Sequence, residues 1–475
     1  MLPAIVGGLV FAGACAEPKD PRAAVVIDVL AKADEPLIRA RPALVASKYT
    51  AMRASAFAFY RGSFPLYLRD ARVGDAGRTR FDVEGLFPLA VGDAHPENFG
   101  VLQAGDGSYG LEPNDFDGSD RYPWLWQLRR LTIGMVLASR SAGSDAEADV
   151  VRATVDAYAS AVSAYGAGAQ RTRVTEPGSD VVIADLFERA NEDGATHAEL
   201  SELTTVDGTG ERRLLRGAFD DGQKFLEDVP AVVDAALPGT LDRYRETLLA
   251  PPPPAFFRVK DAAREYGAGI ASLARVRVLI LVEGPTSAVE DDVLLELKEL
   301  ADSGAGGFGA SGFVADSPGE RVLSISRRLW AIPNAAPLWG VSDLLGLPVQ
   351  VRAELAGEKG IKLKRLEGER ATPEALSTLG ATLGALLARL DAAGSADGRG
   401  VDDGTIAAIT ATVGRDRDRF VDEQVAASID YADRVEADWQ TFIRALDDLG
   451  PRLGVPVDPS DAPDADTAAL IGAPP

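Results

Sequence analysis

The sequence predicts an α+β fold with a large helical portion, and three observations carry that expectation. Apolar residues make up 46% of the 475-residue chain, enough for sizeable cores and too many for a disordered polymer. Long stretches at 24–51, 145–250, 373–395 and 402–449 read as helices, several with acidic, solvated faces. Between them stand short apolar runs closed by Gly, Pro or Asp, the signature of strands joined by turns.

Residues 2–14, LPAIVGGLVFAGA, are apolar, uncharged and too few to span a bilayer as a helix. They end at Ala12-Gly13-Ala14-Cys15, so the segment reads as an export signal with Cys15 as a lipidation site, although no Lys or Arg precedes it. Residues 1–23 are therefore expected to be a signal and polar tether, giving a cell-envelope address. If the signal is not real, the address is cytoplasmic. Beyond them, Val26, Ile27, Val29, Leu30, Leu37 and Ile38 mark a helix interrupted by Pro36 and Pro42. An aromatic run, SAFAFYRGSFPLY, follows at 55–67. Leu86–Val91 reads as a buried strand, and Phe99–Gln103 with Tyr109–Glu112 as a hairpin around AGDGS. Trp124, Leu125, Leu128, Leu131, Met135 and Val136 then line one face of a helix running to about Arg140.

Pro251–Pro254 is a stiff spacer and predicts a boundary. It divides a region at 24–250 from a β-rich region at 255–368, with strands at Val276–Val282 and Val293–Leu297. A Gly-rich segment, 304–312, follows these strands. A C-terminal helical region covers 369–455, and 456–475 reads as a disordered tail.

The formal net charge is −23, from 49 Lys and Arg against 72 Asp and Glu. Such an excess repels nucleic acid and anionic lipid, so neither is an expected partner, and membrane contact is expected only through the N-terminal anchor. A single cysteine excludes an internal disulfide and any multi-cysteine zinc site, and there are two histidines, His95 and His197. Any metal must therefore lean on carboxylate oxygens, which favours magnesium, manganese or calcium.

The densest polar cluster is Gly92-Asp93-Ala94-His95-Pro96-Glu97-Asn98, directly after a buried strand, and Asn114-Asp115-Phe116-Asp117 stands at the far end of the hairpin. Asp93 and Asn98 have the D-x-x-x-x-N spacing of a protein-kinase catalytic loop, in which the Asp accepts the substrate proton and the Asn binds magnesium. The hairpin folds the chain back, so carboxylates at its two ends can converge on one cation. The Asp-Phe-Asp is read as a metal-binding element, with turn and cap roles for Asp93 and Asp115 as the bland alternative. Downstream, Gly267-Ala-Gly269-Ile-Ala-Ser272 precedes a strand, and Lys298 ends the next one. Small residues let backbone N–H groups approach phosphates, and a lysine supplies a point charge to them. Lys260, Lys362 and Lys364 are alternative lysines, and Arg61 is either a phosphate ligand or a structural ion pair. Trp124 and Trp126 are read as core, and His197 as a helix-start residue.

On FAFYRG (57–62), GDAHPENFG (92–100), NDFD (114–117), WLWQLRRL (124–131), the glycine loop with Lys298, and GERVLSISRRLW (319–330), the chain resembles the DUF2252 family of uncharacterised bacterial proteins. Its relatives look like a permuted member of the kinase and aminoglycoside-phosphotransferase superfamily. The resemblance covers about Arg53 to Leu446. It implies a kinase-like two-lobed fold, permuted so that the catalytic-loop region precedes the glycine loop and lysine strands. It further implies Asp93 as base, Asn98, Asp115 and Asp117 as metal ligands, and Gly267, Gly269, Ser272 and Lys298 at a nucleotide, with Glu320 as the ion-pair partner of Lys298. Mg2+ and ATP are the implied cofactors, and a small-molecule hydroxyl or amine, favoured if cationic by the acidic surface, is the implied acceptor. Two departures stand out. Relatives carry Trp-x-Trp-Asp-Leu where this chain has Gln127, and Ala-x-Ala-His-Ala where it has Ala388-Arg389-Leu390-Asp391-Ala392. A catalytically silent, kinase-shaped binding protein anchored at the envelope is the alternative reading, because ATP is scarce outside the cytoplasm.

Overall fold

The computed structural model describes residues 21–74, 76, 78–219, 224–303, 315, 317–394 and 400–457. Cys15 and the apolar run before it lie outside the described residues, as do the whole Gly-rich segment and the tail from 458. Among the described residues no helix is long and apolar enough to cross a membrane.

The chain opens with helices Pro21–Ala40 (α1), Pro42–Arg53 (α2), Ala56–Gly62 (α3) and Phe64–Val73 (α4). Pro36 is accommodated inside α1, whereas Pro42 occupies the first turn of α2, where its missing N–H costs nothing. Short strands Leu89–Ala90 (β1) and Asp120–Arg121 (β4) pair with each other, flanking the hairpin Phe99–Gln103 (β2) and Tyr109–Pro113 (β3). Helices Leu125–Ser141 (α5), Glu147–Gly166 (α6), Val181–Thr196 (α7) and Ala198–Leu203 (α8) follow. Then come strands Thr204–Val206 (β5), Arg212–Leu214 (β6), Gly217–Phe219 (β7) and Lys224–Asp228 (β8), helix Ala231–Thr247 (α9), and strands Val259–Tyr266 (β9), Arg277–Val282 (β10) and Val293–Glu299 (β11). Helix Pro318–Leu329 (α10) precedes strands Gly340–Leu344 (β12), Leu347–Ala353 (β13) and Lys359–Gly360 (β14). Helices Pro373–Asp391 (α11), Asp403–Gly414 (α12) and Arg417–Leu449 (α13) close the fold, each started by a side-chain cap from Thr372, Asp402 or Asp416. The protein is thus mixed α+β with a large helical part.

A seven-stranded antiparallel sheet, ordered β12-β13-β11-β10-β9-β8-β7, forms one body. Its strands alternate, so one face packs Val278, Ile280, Leu295, Leu297, Val349 and Val351 against Leu237, Leu241 and Tyr244 of α9. The larger core lies among α1–α7, α10–α13 and the β2–β3 hairpin, to which β14 adds a third strand.

Two expectations are corrected here. The stretch 145–250 is not wholly helical, since TTVDGTGERRL forms the β5–β6 hairpin, with Asp207 and Gly210 making its turn, and β7 and β8 join the sheet. Nor do the two cores part at Pro251–Pro254. Helix α9, upstream of the prolines, packs on the sheet that follows them.

Candidate functional site

The site is assembled on the β2–β3 hairpin. Its register pairs Phe99 with Pro113, so the residues flanking the two strands meet, and the Asn114 N–H donates to the Asn98 carbonyl at 3.1 Å. This brings the 93–98 loop against the acidic turn at 115–117. Gly92 permits the approach. It sits at φ 82°, and a Cβ there would run into the backbone carbonyl of Gly118.

Asp93 is gripped from below. Its Oδ1 accepts from Nε of Arg130 at 2.7 Å, and Arg130 is wholly buried on α5. The guanidinium lies 3.5 Å from the centre of the Tyr60 ring and donates through Nη2 to the Tyr60 carbonyl at 2.7 Å. The other carboxylate oxygen, Oδ2, lies 3.8 Å from Nε2 of His95. Burial pushes the Asp93 carboxyl above its ordinary range even though Arg130 opposes the shift. Burial, followed by the charges of Arg61, Arg130 and Lys362, drives His95 well down, so its imidazole is neutral at pH 7.

Asn98 donates from Nδ2 to the Asp93 carbonyl at 2.8 Å, so its Oδ1 is the side-chain atom that could serve a cation. Asp115 Oδ1 accepts the Asp117 N–H at 3.0 Å. Lys298, from β11 in the other body, places Nζ 2.7 Å from Asp117 Oδ2 and 3.6 Å from Asp115 Oδ2. Burial raises the Asp115 carboxyl, but Lys298, the Asp117 N–H, Arg352 and Arg277 outweigh it and hold the group below the usual range. Asp117 Oδ1 is buried and has no hydrogen-bond partner. That orphaned oxygen, with Asn98 Oδ1 and Asp115, makes an all-oxygen donor set suited to magnesium. Among the described residues no group of three or more His, Cys, Asp or Glu could hold a metal by itself. A divalent ion here would complete its shell with water and ligand oxygens.

The glycine loop joins β9 to β10, with Gly267 and Gly269 at φ 84° and 77°. Gly269, Ile270, Ala271 and Ser272 line a cleft of about 790 Å³ that Asp93, Asn98, Asp115 and Asp117 also line. Ser272 Oγ accepts from Nη2 of Arg277 at 2.9 Å.

Other expected residues fall elsewhere. Glu320 is exposed on the first turn of α10 and is not among the carboxylates that pair with Lys298. The same helix reaches the site through its neighbour. Arg321 donates to the carbonyls of Ser119 and Ala301, the latter at 2.6 Å. Lys260 pairs with Asp292 at 2.7 Å, and Arg61 pairs with Glu97 at 2.6 Å while lining the cleft. Trp124 and Trp126 are buried core. His197 is exposed at φ 48° and stands directly before α8. Sequence reading missed Arg130 and Arg321, and the available signal was a charged residue within an otherwise apolar helical face.

A family model described as "Uncharacterized protein conserved in bacteria (DUF2252)" matches residues 39–445. Neither the curated proteins nor the solved structures give a match.

Proposed function

The chain belongs to the DUF2252 family of bacterial proteins, and on that premise we propose that it is a phosphotransferase using Mg2+ and ATP on a hydroxyl or amine of a small molecule. One observation carries the reading. Lys298, on the third strand counting from β9, meets Asp115 and Asp117 beside the Asp93–Asn98 loop, although more than a third of the chain separates them. In protein kinases the glycine-rich loop likewise joins the first two strands of the lobe, the lysine stands on the third, and a helix follows it. Here the glycine loop lies between β9 and β10, Lys298 on β11, and α10 comes next. The order is permuted, with the catalytic loop first.

In this reading the acceptor oxygen attacks the terminal phosphorus, the bond to the leaving diphosphate breaks, and the proton passes to Asp93. Arg130 fixes the carboxylate through Oδ1, which leaves Oδ2 toward the nucleophile. Lys298 and the loop N–H groups offset phosphate charge. Asn98, Asp115 and Asp117 would hold the magnesium ion, which supplies further charge neutralisation when bound. Around the cleft Asp34 pairs with Lys48 and Asp93 with Arg130, whereas Asp115 and Asp117 share the one cation of Lys298.

Calorimetric titration of Mg-ATP into the full chain tests the proposal, with Asp115→Ala and metal-free controls. Binding that requires magnesium and vanishes in the variant supports it. No binding at millimolar nucleotide overturns it.

A further inference from the structure

A second cavity, of about 110 Å³, lies where β13 leaves the sheet. Its walls are the end of β2 at Gln103 and Ala104, the loop before β12, and the chain from Arg352 to Glu358. Much of that wall is apolar, from Ala336, Leu338, Trp339, Ala353 and Leu355. The volume suits one six-membered ring, since a cavity of roughly 150 Å³ accepts benzene.

The polar groups here are mostly donors. Arg352 donates to Glu296 through Nε at 2.8 Å, which leaves its two terminal nitrogens for a ligand. Trp339 is 4% exposed, and its indole Nε1 is buried with no hydrogen-bond partner among the described residues. Gln350 precedes Arg352 by two residues on the same sheet face, and its buried Nε2 is unpartnered in the same way. Glu358 supplies the one carboxyl of the lining. Burial pushes it up to about 7, against the opposing charge of Arg352, so at pH 6 it is mainly protonated and donates too. Glu354 and Arg173 act on it in opposite senses. The charge beside it is positive, because Arg277 and Arg352 share the single carboxylate of Glu296. Donors, a guanidinium and an apolar wall together select an anion with acceptor oxygens and an apolar body.

Two contacts join this cavity to the cleft. Trp339 packs edge-on against Phe116, ring centres 5.8 Å apart, and Phe116 stands between Asp115 and Asp117. Arg352 is also one of the cations that hold the Asp115 carboxyl below its usual range.

We propose that this cavity is an effector site for a small carboxylate with a ring-sized apolar body. An anion on Arg352 cancels part of the positive charge acting on Asp115, which favours a divalent cation there. By reciprocity, the cation favours the carboxylate. The ligand site stands apart from the phosphotransferase reading, whereas its effect rests on the cation site of that reading.

Calorimetric titration of benzoate into the full chain at pH 6 tests the site, with benzyl alcohol and benzylamine as neutral and cationic probes. One benzoate per chain is expected, with the other two bound about tenfold more weakly or worse. Arg352→Gln should weaken benzoate by about tenfold or more. Leu355→Trp, which fills the cavity and keeps the arginine, should abolish binding. Equal binding of the three probes, preference for benzylamine, no benzoate binding at millimolar concentration, or binding that survives both variants would overturn the proposal. Saturating benzoate should tighten manganese binding to the native chain by about threefold. An unchanged manganese affinity would overturn the effector role. Absence of any manganese binding would overturn the cation site and the effector role together, while the benzoate titrations would still decide the ligand site.

Discussion

Gln127 donates from Nε2 to Oδ1 of Asp391 at 2.5 Å, and Tyr158 donates to the other oxygen of the same carboxylate at 2.6 Å. Gln127 and Asp391 are the two positions at which the sequence departs from the pattern that the family resemblance implies, Asp at the first and His at the second. The departures are therefore the two halves of one contact between α5 and α11. An amide–carboxyl pair stands where the pattern implied by the resemblance would set a carboxylate against an imidazole. Helix α5 keeps its anchor, and with it the position of Arg130 under Asp93.

Asp391 gives a pH dependence with a definite sign. Burial pushes its carboxyl up to about 7, against the opposing hydrogen bonds from Tyr158 and Gln127. The folded protein thus retains a proton that the unfolded chain releases near pH 4, so this group's contribution is fully present below pH 4 and is lost as pH rises toward 7. Asp391→Asn should flatten that slope and stabilise the protein at pH 8 by about 1–3 kcal/mol. Urea denaturation at pH 5 and pH 8 reads it, and an unchanged slope in the variant would refute the assignment.

Lys298 is the internal counter-ion of Asp115 and Asp117. Lys298→Met should cost about 1–2 kcal/mol, since the two carboxylates lose their partner but remain partly solvated. Magnesium or manganese alone should then raise the melting temperature of the variant more than that of the native protein. Equal shifts in both would argue that the carboxylates do not form the cation site.

Arg130→Lys is not conservative at this position, because an ammonium cannot both lie flat over Tyr60 and reach Asp93 and the Tyr60 carbonyl. The expected loss of stability is about 2–4 kcal/mol by chemical denaturation. Magnesium-dependent triphosphate binding should survive, since Arg130 touches none of the proposed phosphate or metal ligands.

Gly92→Ala places a methyl against the Gly118 carbonyl at a left-handed backbone position. Displacement of the loop from the 115–117 turn should weaken Mg-triphosphate binding about tenfold or more and lower the melting temperature by several degrees. Native-like binding in this variant would mean the loop and turn need not touch.

What could be read in the sequence was local. The Asp93–Asn98 loop, the hairpin and the acidic turn lie within one short stretch, where turn composition and strand alternation dictate the geometry. The strand ending in Lys298 was legible for the same reason, but its partners were not. Glu320 lost to Asp117 because helix phase alone does not say which neighbouring side chain faces the sheet, and Arg321 takes the inward position. Arg130 was invisible because its role depends on α5 passing beneath a loop that begins 37 residues earlier. Strands β5–β8 were missed because each is three to five residues long and partly exposed, too short for periodicity to declare itself.

The course of the backbone between the two bodies has a mechanical consequence. The chain passes from the helical core to the sheet after α7, returns at Leu300, goes back near Val341, and leaves again between Ala353 and Ile361. Four covalent stitches join the halves, where a single tether would let one swing against the other like a door. With α10 sewn in at both ends, wide gaping would require several seams to give together. Ligands must therefore enter by small adjustments of side chains and of the glycine turn, and a protease cutting any one seam would leave the two halves bound to each other.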